Sequence, residues 1–174
     1  QVQVIAPMRR GDAGTDALNR ALRARLNANA GDRPGLAPGD RVIQLRNNYD
    51  RDVFNGDIGT VVAVGPEGAA RVRFDEREVA FEGAETDDLS PAYAITVHKA
   101  QGSEFPAVVV ALHTQHWVML RRNLLYTAIT RGRRLVVLVG NRRALKAAVD
   151  NARVEPRNTG LAARLRVAAA SAPR

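Results

Sequence analysis

The side chains best suited to chemistry lie at residues 94–105, in the sequence AITVHKAQGSEF. A histidine and a lysine stand there before a Gln-Gly pair, and a serine and a glutamate follow it. Apolar runs typical of short buried strands flank these residues, at 95–97 and at 107–112. The polar side chains are therefore expected at strand ends, where open α/β sheets bind their ligands. We predict a ligand-binding edge at this point of the chain.

Two further segments place arginines at the ends of predicted elements. MRRGDAG, at residues 8–14, follows an apolar strand, and its two arginines and two glycines suit contact with an anion. The cluster RGRR, which begins at Arg131, follows a predicted helix at 118–130 and precedes the fully apolar run 135–139. Such a run is typical of a strand buried on both faces. Arg131 is therefore expected at a junction between two elements.

The elements that must hold these residues follow two different hydrophobic periods. Strand Val2–Ala6, a helix at 15–29 with an apolar inner face, and the pattern that resumes after residue 92 predict a parallel sheet flanked by helices. Thr15 or Asp16 is the expected N-cap of the first helix. Between these parts, short β-prone runs separated by turn residues predict a small antiparallel β-barrel insert, so the predicted fold class is α/β. We assign 1–38 and 92–152 to the parallel-sheet domain, 39–91 to the insert, and 153–174 to a partly helical tail.

Composition narrows the class of protein. The 174 residues include no cysteine and three scattered histidines, so we predict neither disulfides nor a structural metal site. No apolar run approaches membrane-spanning length and no signal segment is recognisable, so a cytoplasmic protein without membrane contact is expected. Residues 113–174 hold thirteen basic and two acidic side chains, which makes that part the better candidate for a polyanion surface.

The same segments carry a family resemblance. ITVHKAQGSEF resembles the motif that couples DNA and nucleotide in the second RecA-like domain of superfamily 1 helicases of the RecD/TraA class. QVIAPMRRG resembles that family's motif with a γ-phosphate-contacting arginine, and LLYTAITRGRRLVVLVG resembles its arginine-finger motif. GDRVIQLRNNYDRDVFNGDIGTV resembles the SH3-like insert of RecD-like helicases, and the tail NTGLAARL resembles the end of such chains. The matches follow the family's order along the chain.

The resemblance implies a nucleotide contact shared with another domain. Arg9 and Arg131 would reach the γ-phosphate, with Arg131 as the arginine finger that stabilises charge on the transferring group. Glu104 would hydrogen-bond the ribose, and Gly102 would allow close approach. No GxxxxGK[ST] loop is present, so ATP and Mg²⁺ would be bound mainly by a preceding RecA-like domain of the same chain. We expect this chain to be an excised piece that requires no cofactor and hydrolyses no ATP by itself.

The resemblance also implies a contact with single-stranded DNA. Thr96 and His98 would meet the phosphodiester backbone, and Lys99 stands between them and the nucleotide side. The family commonly has serine where this chain has Ala100, so the contact of that hydroxyl is absent here.

The insert offers a second candidate contact with DNA. Its residues 39–90 include six basic and twelve acidic side chains, so any contact is expected from its long first loop, at 47–57. Tyr49 and Phe54 could stack there on bases. The alternative is that Phe54 packs in the barrel and the asparagines only shape turns. The asparagines that could hydrogen-bond to bases are Asn47, Asn48 and Asn55.

These inferences predict part of an ATP-dependent DNA helicase that moves 5′ to 3′ on single-stranded DNA as a monomer. Two alternatives stay open. One is a non-enzymatic nucleic-acid-binding module, because GDRV followed by NGDIGTVVAV also resembles small barrels of ribosomal and transcription factors. The other is the helicase half of a conjugative relaxase.

Overall fold

The computed structural model describes residues 2–31, 35–153 and 160–170. The predicted tail lies partly outside them, at 154–159 and 171–174. The strands are β1 (Val2–Ala6), β2 (Arg41–Gln44), β3 (Ile58–Val64), β4 (Ala70–Phe74), β5 (Arg77–Phe81), β6 (Leu89–Pro91), β7 (Ala94–Thr96), β8 (Phe105–Leu112) and β9 (Gly132–Gly140). The helices are α1 (Thr15–Leu26), α2 (Arg122–Ile129), α3 (Arg142–Asp150) and α4 (Leu161–Ala170).

Four strands form a parallel sheet in the order β7-β1-β8-β9. Alternate residues of β8, namely Val108, Val110 and Leu112, are buried, as expected for a strand with one well-covered face. They pack in one core with Leu125 of α2 and Ala144 of α3. The predicted α/β class is confirmed.

The apolar run 135–139 is more exposed than predicted. It lies in β9, the last strand of the sheet, where Leu135 and Val139 keep 55% and 53% of their surface exposed. The expectation of a strand buried on both faces is wrong, because only one side of β9 pairs with another described strand. An apolar run by itself does not distinguish a central strand from an edge strand.

Helix α1 also differs from its prediction. It ends at Leu26 rather than at residue 29, and Gly14 is its N-cap, with no side-chain cap. The carbonyls of Met8 and Arg9 instead accept the amides of Thr15 and Asp16. The buried residues of α1 are polar ones, Thr15 and Asn19, whereas Leu26 is exposed. The predicted apolar inner face is therefore wrong.

Asn19 is buried because it completes the edge of the parallel sheet. Its side-chain amide donates to the carbonyl of Ala94 at 2.9 Å, and its side-chain oxygen accepts the amide of Ala94 at 2.8 Å. Ala94 opens the edge strand β7, whose outer backbone groups would otherwise lack partners. A buried amide thus takes the place of a neighbouring strand.

The start of the second helix is also later than predicted. Residues 118–130 were expected to be helical, with a loop before them. The chain instead forms a 3₁₀ turn at Thr114–Met119, and α2 begins at Arg122. Leu120 is buried, as expected, but it caps the turn rather than lying on the helix.

The insert forms a five-stranded antiparallel sheet in the order β5-β4-β3-β2-β6. It surrounds a separate apolar core that includes Val42, Val61, Val72 and Phe81. On its other side, Ile43, Leu45 and Ile58 pack against the core of the parallel sheet. The two sheets therefore share an apolar contact rather than meeting only through linkers.

A buried carboxylate fixes the insert at the point where the chain enters it. Asp40 is 3% exposed and accepts hydrogen bonds from Arg23 and Asn27 of the α1 region, each at 2.8 Å. The amide of Ala37 donates to the same carboxylate at 2.8 Å, and the hydroxyl of Tyr93 donates at 3.0 Å. Burial alone would raise the pKa of Asp40, but the hydrogen bonds from Arg23 and the other donors hold that pKa below its ordinary value. The carboxylate of Asp40 thus binds residues of the α1 region, of the linker and of the segment that follows the insert.

We expect Asp40→Ala to lower the free energy of unfolding by about 3 kcal/mol, because the substitution removes a buried acceptor shared by Asn27, Ala37 and Tyr93 and the counter-charge of the partly buried Arg23. Urea denaturation of the chain, followed by circular dichroism, measures the loss. Glu78→Ala is the matched control, since Glu78 pairs with Arg71 in an exposed ion pair and should change stability by less than about 1 kcal/mol. Equal effects of the two substitutions would contradict this assignment.

The stabilising effect of Asp40 should depend on pH. Because its pKa is lowered in the folded state, the unfolded chain takes up the proton first, and stability is lost as the pH falls from about 4 through the folded pKa. The stability difference between the unmodified chain and Asp40→Asn should thus be constant near neutral pH and shrink below about pH 4. A stability difference between the two chains that stays constant down to acid pH would contradict a lowered pKa of Asp40 in the folded state.

Candidate functional site

The register of the parallel sheet separates the candidate residues into two groups. Thr96 closes β7 and Arg9 follows β1, so both lie at the carboxyl ends of parallel strands. Glu104 and Arg131 directly precede β8 and β9, at the amino ends. Ile5 pairs with Val110, five residues along β8 from Phe105, so the two edges are about 17 Å apart at roughly 3.3 Å per residue.

We call Glu104, Arg131 and Arg133 the N-edge cluster. The guanidinium of Arg131 donates to the carbonyls of Ser103 and Thr127, each at 3.1 Å, and to the hydroxyl of Thr130 at 3.2 Å. These bonds hold the arginine beside the residue that precedes Glu104. Such a fixed guanidinium suits stabilisation of a developing negative charge, because it needs no reorganisation when that charge forms.

Glu104 carries the negative charge of this cluster. Its carboxylate accepts a hydrogen bond from Arg133 at 2.7 Å, and both side chains are about half exposed or more. An exposed ion pair is weak and can exchange partners. The carboxylate of Glu104 is therefore available to a ligand hydroxyl.

The insert forms a wall beside the N-edge cluster. A cleft of about 800 Å³ separates residues 103–105 from strands β3 to β5. Its charged lining is mixed, since Arg73 and Arg77 face the same space as Asp75 and Glu76. The cleft thus offers both donors and acceptors next to Glu104.

We call Arg9, Thr96 and Lys99 the C-edge cluster; His98 lines a separate cavity with Gln101 and Arg121. The amide of Lys99 donates to the hydroxyl of Thr96 at 3.3 Å, and Arg9 is exposed and paired with Asp16 at 3.1 Å. Partial burial, together with the positive charge of Arg9, lowers the pKa of Lys99. Arg9, Thr96 and Lys99 also line one small cavity of about 100 Å³ with Leu45 of the insert. Two cations and a hydroxyl at one edge suit a phosphate group.

The structure does not bring Arg9 together with Arg131 and Glu104. A shared contact of Arg9 and Arg131 with one γ-phosphate was expected, but the residues lie at opposite edges of the sheet. The reason is topological, since Arg9 follows a parallel strand and Arg131 precedes one. The strand pattern alone contained this signal, because Arg9 shares its edge with Thr96 and Lys99.

One short stretch connects the two edges. We call residues 97–104 the coupling segment. Val97 and Ala100 are buried and anchor it to the core, and successive turns bond Ala100 to Thr96 and Ser103 to Ala100. Gly102 has a φ of +83°, in the left-handed region that favours glycine. The segment is therefore a compact series of turns between His98 at one edge and Glu104 at the other.

The first loop of the insert presents two aromatic rings. Tyr49 is exposed, Phe54 keeps 41% of its surface, and their ring centroids lie 6.0 Å apart in an edge-to-face arrangement. Val53, rather than Phe54, packs in the core of the insert. Asn47 and Asn48 are engaged within the loop, where they accept the amides of Asn55 and Arg51. Asn47 and Asn48 thus help to shape the loop, while the two rings remain accessible.

Some residues received no functional interpretation from the sequence but are prominent in the structure. His116 is completely buried, whereas Trp117 is 58% exposed. Among the residues that the structure describes, no group of three or more His, Asp or Glu side chains could hold a metal ion. In the same ranges, no helix is both long and apolar enough to cross a bilayer.

Two family models match this arrangement. The UvrD-like helicase C-terminal domain matches residues 91–139, which include the coupling segment and Arg131. The SH3 domain of ATP-dependent RecD-like DNA helicases matches residues 18–77. Fold and site together define a RecA-like motor domain of a superfamily 1 helicase with an SH3-like insert.

Curated relatives narrow the assignment. The chain is 45% identical to the ATP-dependent RecD2 DNA helicase of Deinococcus radiodurans over 170 residues, which are 95% of this chain and 23% of that protein. It is 34% identical to the RecBCD enzyme subunit RecD of Mycolicibacterium smegmatis, covering 95% of this chain and 29% of that protein. The chain thus spans about a quarter of the length of these relatives. It belongs to the RecD-like superfamily 1 helicases.

Solved structures support the fold. The Pif1 helicase from Bacteroides in complex with ADP-AlF3 and ssDNA superposes with a TM-score of 0.62 at 19% identity, covering 97% of this chain and 45% of that one. A Bacteroides Pif1 structure bound to ssDNA gives a TM-score of 0.55 at 21% identity, covering 79% and 40%. At these identities the likeness concerns the fold alone.

Proposed function

We propose that this chain is the second motor domain of an ATP-dependent DNA helicase that moves 5′ to 3′ along single-stranded DNA. The observation that carries the proposal is the coupling segment, which joins a cationic cluster at one sheet edge to an arginine and carboxylate cluster at the other. A motor must link nucleotide state to its grip on DNA, and here residues 97–104 carry Lys99 of one cluster and Glu104 of the other.

On the nucleotide side, Arg131 acts as the arginine finger and Glu104 binds the ribose, with Gly102 giving close approach. The sequence has no GxxxxGK[ST] loop, so the phosphates and Mg²⁺ are bound by another RecA-like domain, which faces the N-edge cluster. Arg131 then reaches the γ-phosphate across the cleft between the domains. Its guanidinium neutralises the charge that spreads over the transferring phosphoryl group.

On the DNA side, the geometry supports a changed role for Arg9. Its position beside Lys99 and Thr96 supports a contact with a backbone phosphate of the single strand rather than with the γ-phosphate. His98, which lines a neighbouring cavity with Gln101 and Arg121, would contact the strand at a further position. Tyr49 and Phe54 of the insert would stack on bases, and such stacking accepts any base sequence. Binding of this kind depends mainly on phosphate charge and is weakened by salt.

These contacts imply a cycle of alternating grip. When ATP binds between the two RecA-like domains, Arg131 and Glu104 are drawn toward the nucleotide, and the coupling segment transmits that displacement to Thr96 and His98. Hydrolysis releases the N-edge cluster and lets the domain advance along the strand. We propose that the intact protein works in this way as a cytoplasmic monomer.

In the intact protein, Arg131→Ala should lower the turnover number for ATP about 10³-fold, the usual effect of losing an arginine finger. Affinity for a single-stranded oligonucleotide should stay within about twofold, since the DNA contacts lie at the other edge. ATP hydrolysis and fluorescence anisotropy measure the two effects. Arg134→Ala, which removes an exposed arginine of β9 three residues further along the chain, is the matched control and should leave both unchanged. Unwinding of DNA at the normal rate by Arg131→Ala would contradict the proposal.

A further inference from the structure

His116 is a fully buried side chain for which the proposed function has no role. It is 0% exposed and lies between two segments that are far apart in sequence. One is the 3₁₀ turn Thr114–Met119 that leads into α2, and the other is the loop at 8–14 that carries Arg9, here called the arginine loop. Both ring nitrogens are engaged: Nε2 lies 3.1 Å from the carbonyl of Ala13, and Nδ1 lies 3.2 Å from the amide of His113.

These partners determine which nitrogen of the His116 ring carries the hydrogen. A carbonyl oxygen can only accept, so Nε2 carries the hydrogen and donates to Ala13. A backbone amide can only donate, so Nδ1 is unprotonated and accepts from His113. Burial lowers the pKa of the imidazole and favours this neutral form. One ring therefore ties the arginine loop to the turn before α2, and each tie uses a different nitrogen.

The other contacts of the arginine loop lie on its opposite side. The amides of Thr15 and Asp16 donate to the carbonyls of Met8 and Arg9, which winds the loop over the first turn of α1. Gly14 has no room for a side chain, since an added Cβ would lie 2.4 Å from the carbonyl oxygens of Arg9 and Arg10. These contacts set the shape of the loop.

The turn that holds His116 touches the loop at a second place. At Gly11, which has a φ of +93°, an added Cβ would lie 3.1 Å from Oε1 of Gln115. The chain therefore passes close to the turn at this residue. The bond from His116 to Ala13 fixes the same loop to the β8 side of the sheet.

We infer that His116 is a positioning residue for DNA binding, which holds the arginine loop so that Arg9 faces the same phosphate as Lys99 and Thr96. The inference rests on the DNA role proposed for Arg9. Without the bond to Ala13, the loop keeps its contacts with α1 but loses its tie to the turn before α2. Arg9 then keeps its backbone bond and its exposed ion pair with Asp16 of α1, but the loop that carries it is no longer fixed from the β8 side, and its placement beside Lys99 is less constrained.

Two near-isosteric substitutions separate the two ties. The amide nitrogen of His116→Gln can reach the position of Nε2 and donate to Ala13, while the His113 contact is lost. The side-chain oxygen of His116→Asn can replace Nδ1 as the acceptor for His113, while the Ala13 contact is lost. A positioning role predicts that the glutamine variant retains DNA affinity and the asparagine variant loses it. A purely structural role gives no reason for that order.

The test measures binding of a labelled oligothymidylate to the intact protein over a range of salt concentrations. Arg9→Ala should weaken binding about fivefold and reduce the salt slope by about 0.7, the value for one phosphate contact on a single strand. His116→Asn should weaken binding and reduce the salt slope by a similar amount. The affinity of His116→Gln should stay within about twofold of that of the unmodified protein. In the Arg9→Ala background, His116→Asn should have no further effect, because it acts through Arg9.

The possible outcomes separate the two proposals. If Arg9→Ala binds normally, the DNA role of Arg9 fails and the inference about His116 fails with it. If Arg9→Ala is weakened but His116→Asn binds normally, or if its effect is undiminished in the Arg9→Ala background, only the inference about His116 is overturned. Cooperative unfolding of each variant is checked first. Should His116→Asn not fold, a loss of affinity in folded His116→Gln equal to that of Arg9→Ala would overturn the inference, and retained affinity with an unchanged salt slope would support it.

Discussion

The carboxylate of Asp40 is the interaction on which the arrangement of the two sheets depends. It accepts hydrogen bonds from Arg23 and Asn27 of the α1 region, from the linker residue Ala37 and from Tyr93, which follows the last strand of the insert, all within a buried site. A buried ion pair adds little stability compared with apolar packing, but removal of one partner is costly, so such a group enforces a particular geometry. Here that geometry is the position of the insert relative to the parallel sheet. Gln3 acts in the same region, since it accepts from Arg41 of the insert and donates to the carbonyl of Ala92.

Fixing the insert has consequences for both edges of the sheet. Leu45 lies beside Arg9 and Lys99 at one edge, and β3 to β5 face Glu104 across the cleft at the other. A freely hinged insert would leave both clusters without a wall. The coupling segment runs from one edge of the sheet to the other, and the buried side chains of Val97 and Ala100 anchor it to the core. The insert thus contributes residues to the surroundings of both clusters.

The fold class followed from local pattern because period and turn residues are local signals. Strands β1 and β3 lie where alternation and flanking turn residues placed them. Exposure of β9 could not be predicted, since its apolar run would read the same in a central strand. The buried face of α1 was missed for a different reason: Asn19 is inward because it satisfies the backbone of a distant edge strand, and no helical period reveals such a need.

The arrangement of the candidate site could likewise be predicted only in part. The sequence predicted Arg131 at a junction between two elements, and in the structure its guanidinium donates to the carbonyl of Ser103, which precedes β8. The grouping of Arg9 with Arg131 was the expectation that the topology does not support. His116 resembled an ordinary buried histidine because its partners are backbone groups, which leave no trace in the sequence. Long-range hydrogen bonds of this kind are visible only in three dimensions.

The central claim is that nucleotide and DNA bind at opposite edges of one sheet. Amide hydrogen exchange of the intact protein, measured separately with an oligothymidylate and with a non-hydrolysable ATP analogue, tests it most directly. The account predicts that the oligothymidylate protects residues 8–14 and 97–99, whereas the ATP analogue protects 102–105 and 130–133. Protection of 8–14 by the ATP analogue alone, or of 102–105 by DNA alone, would contradict it.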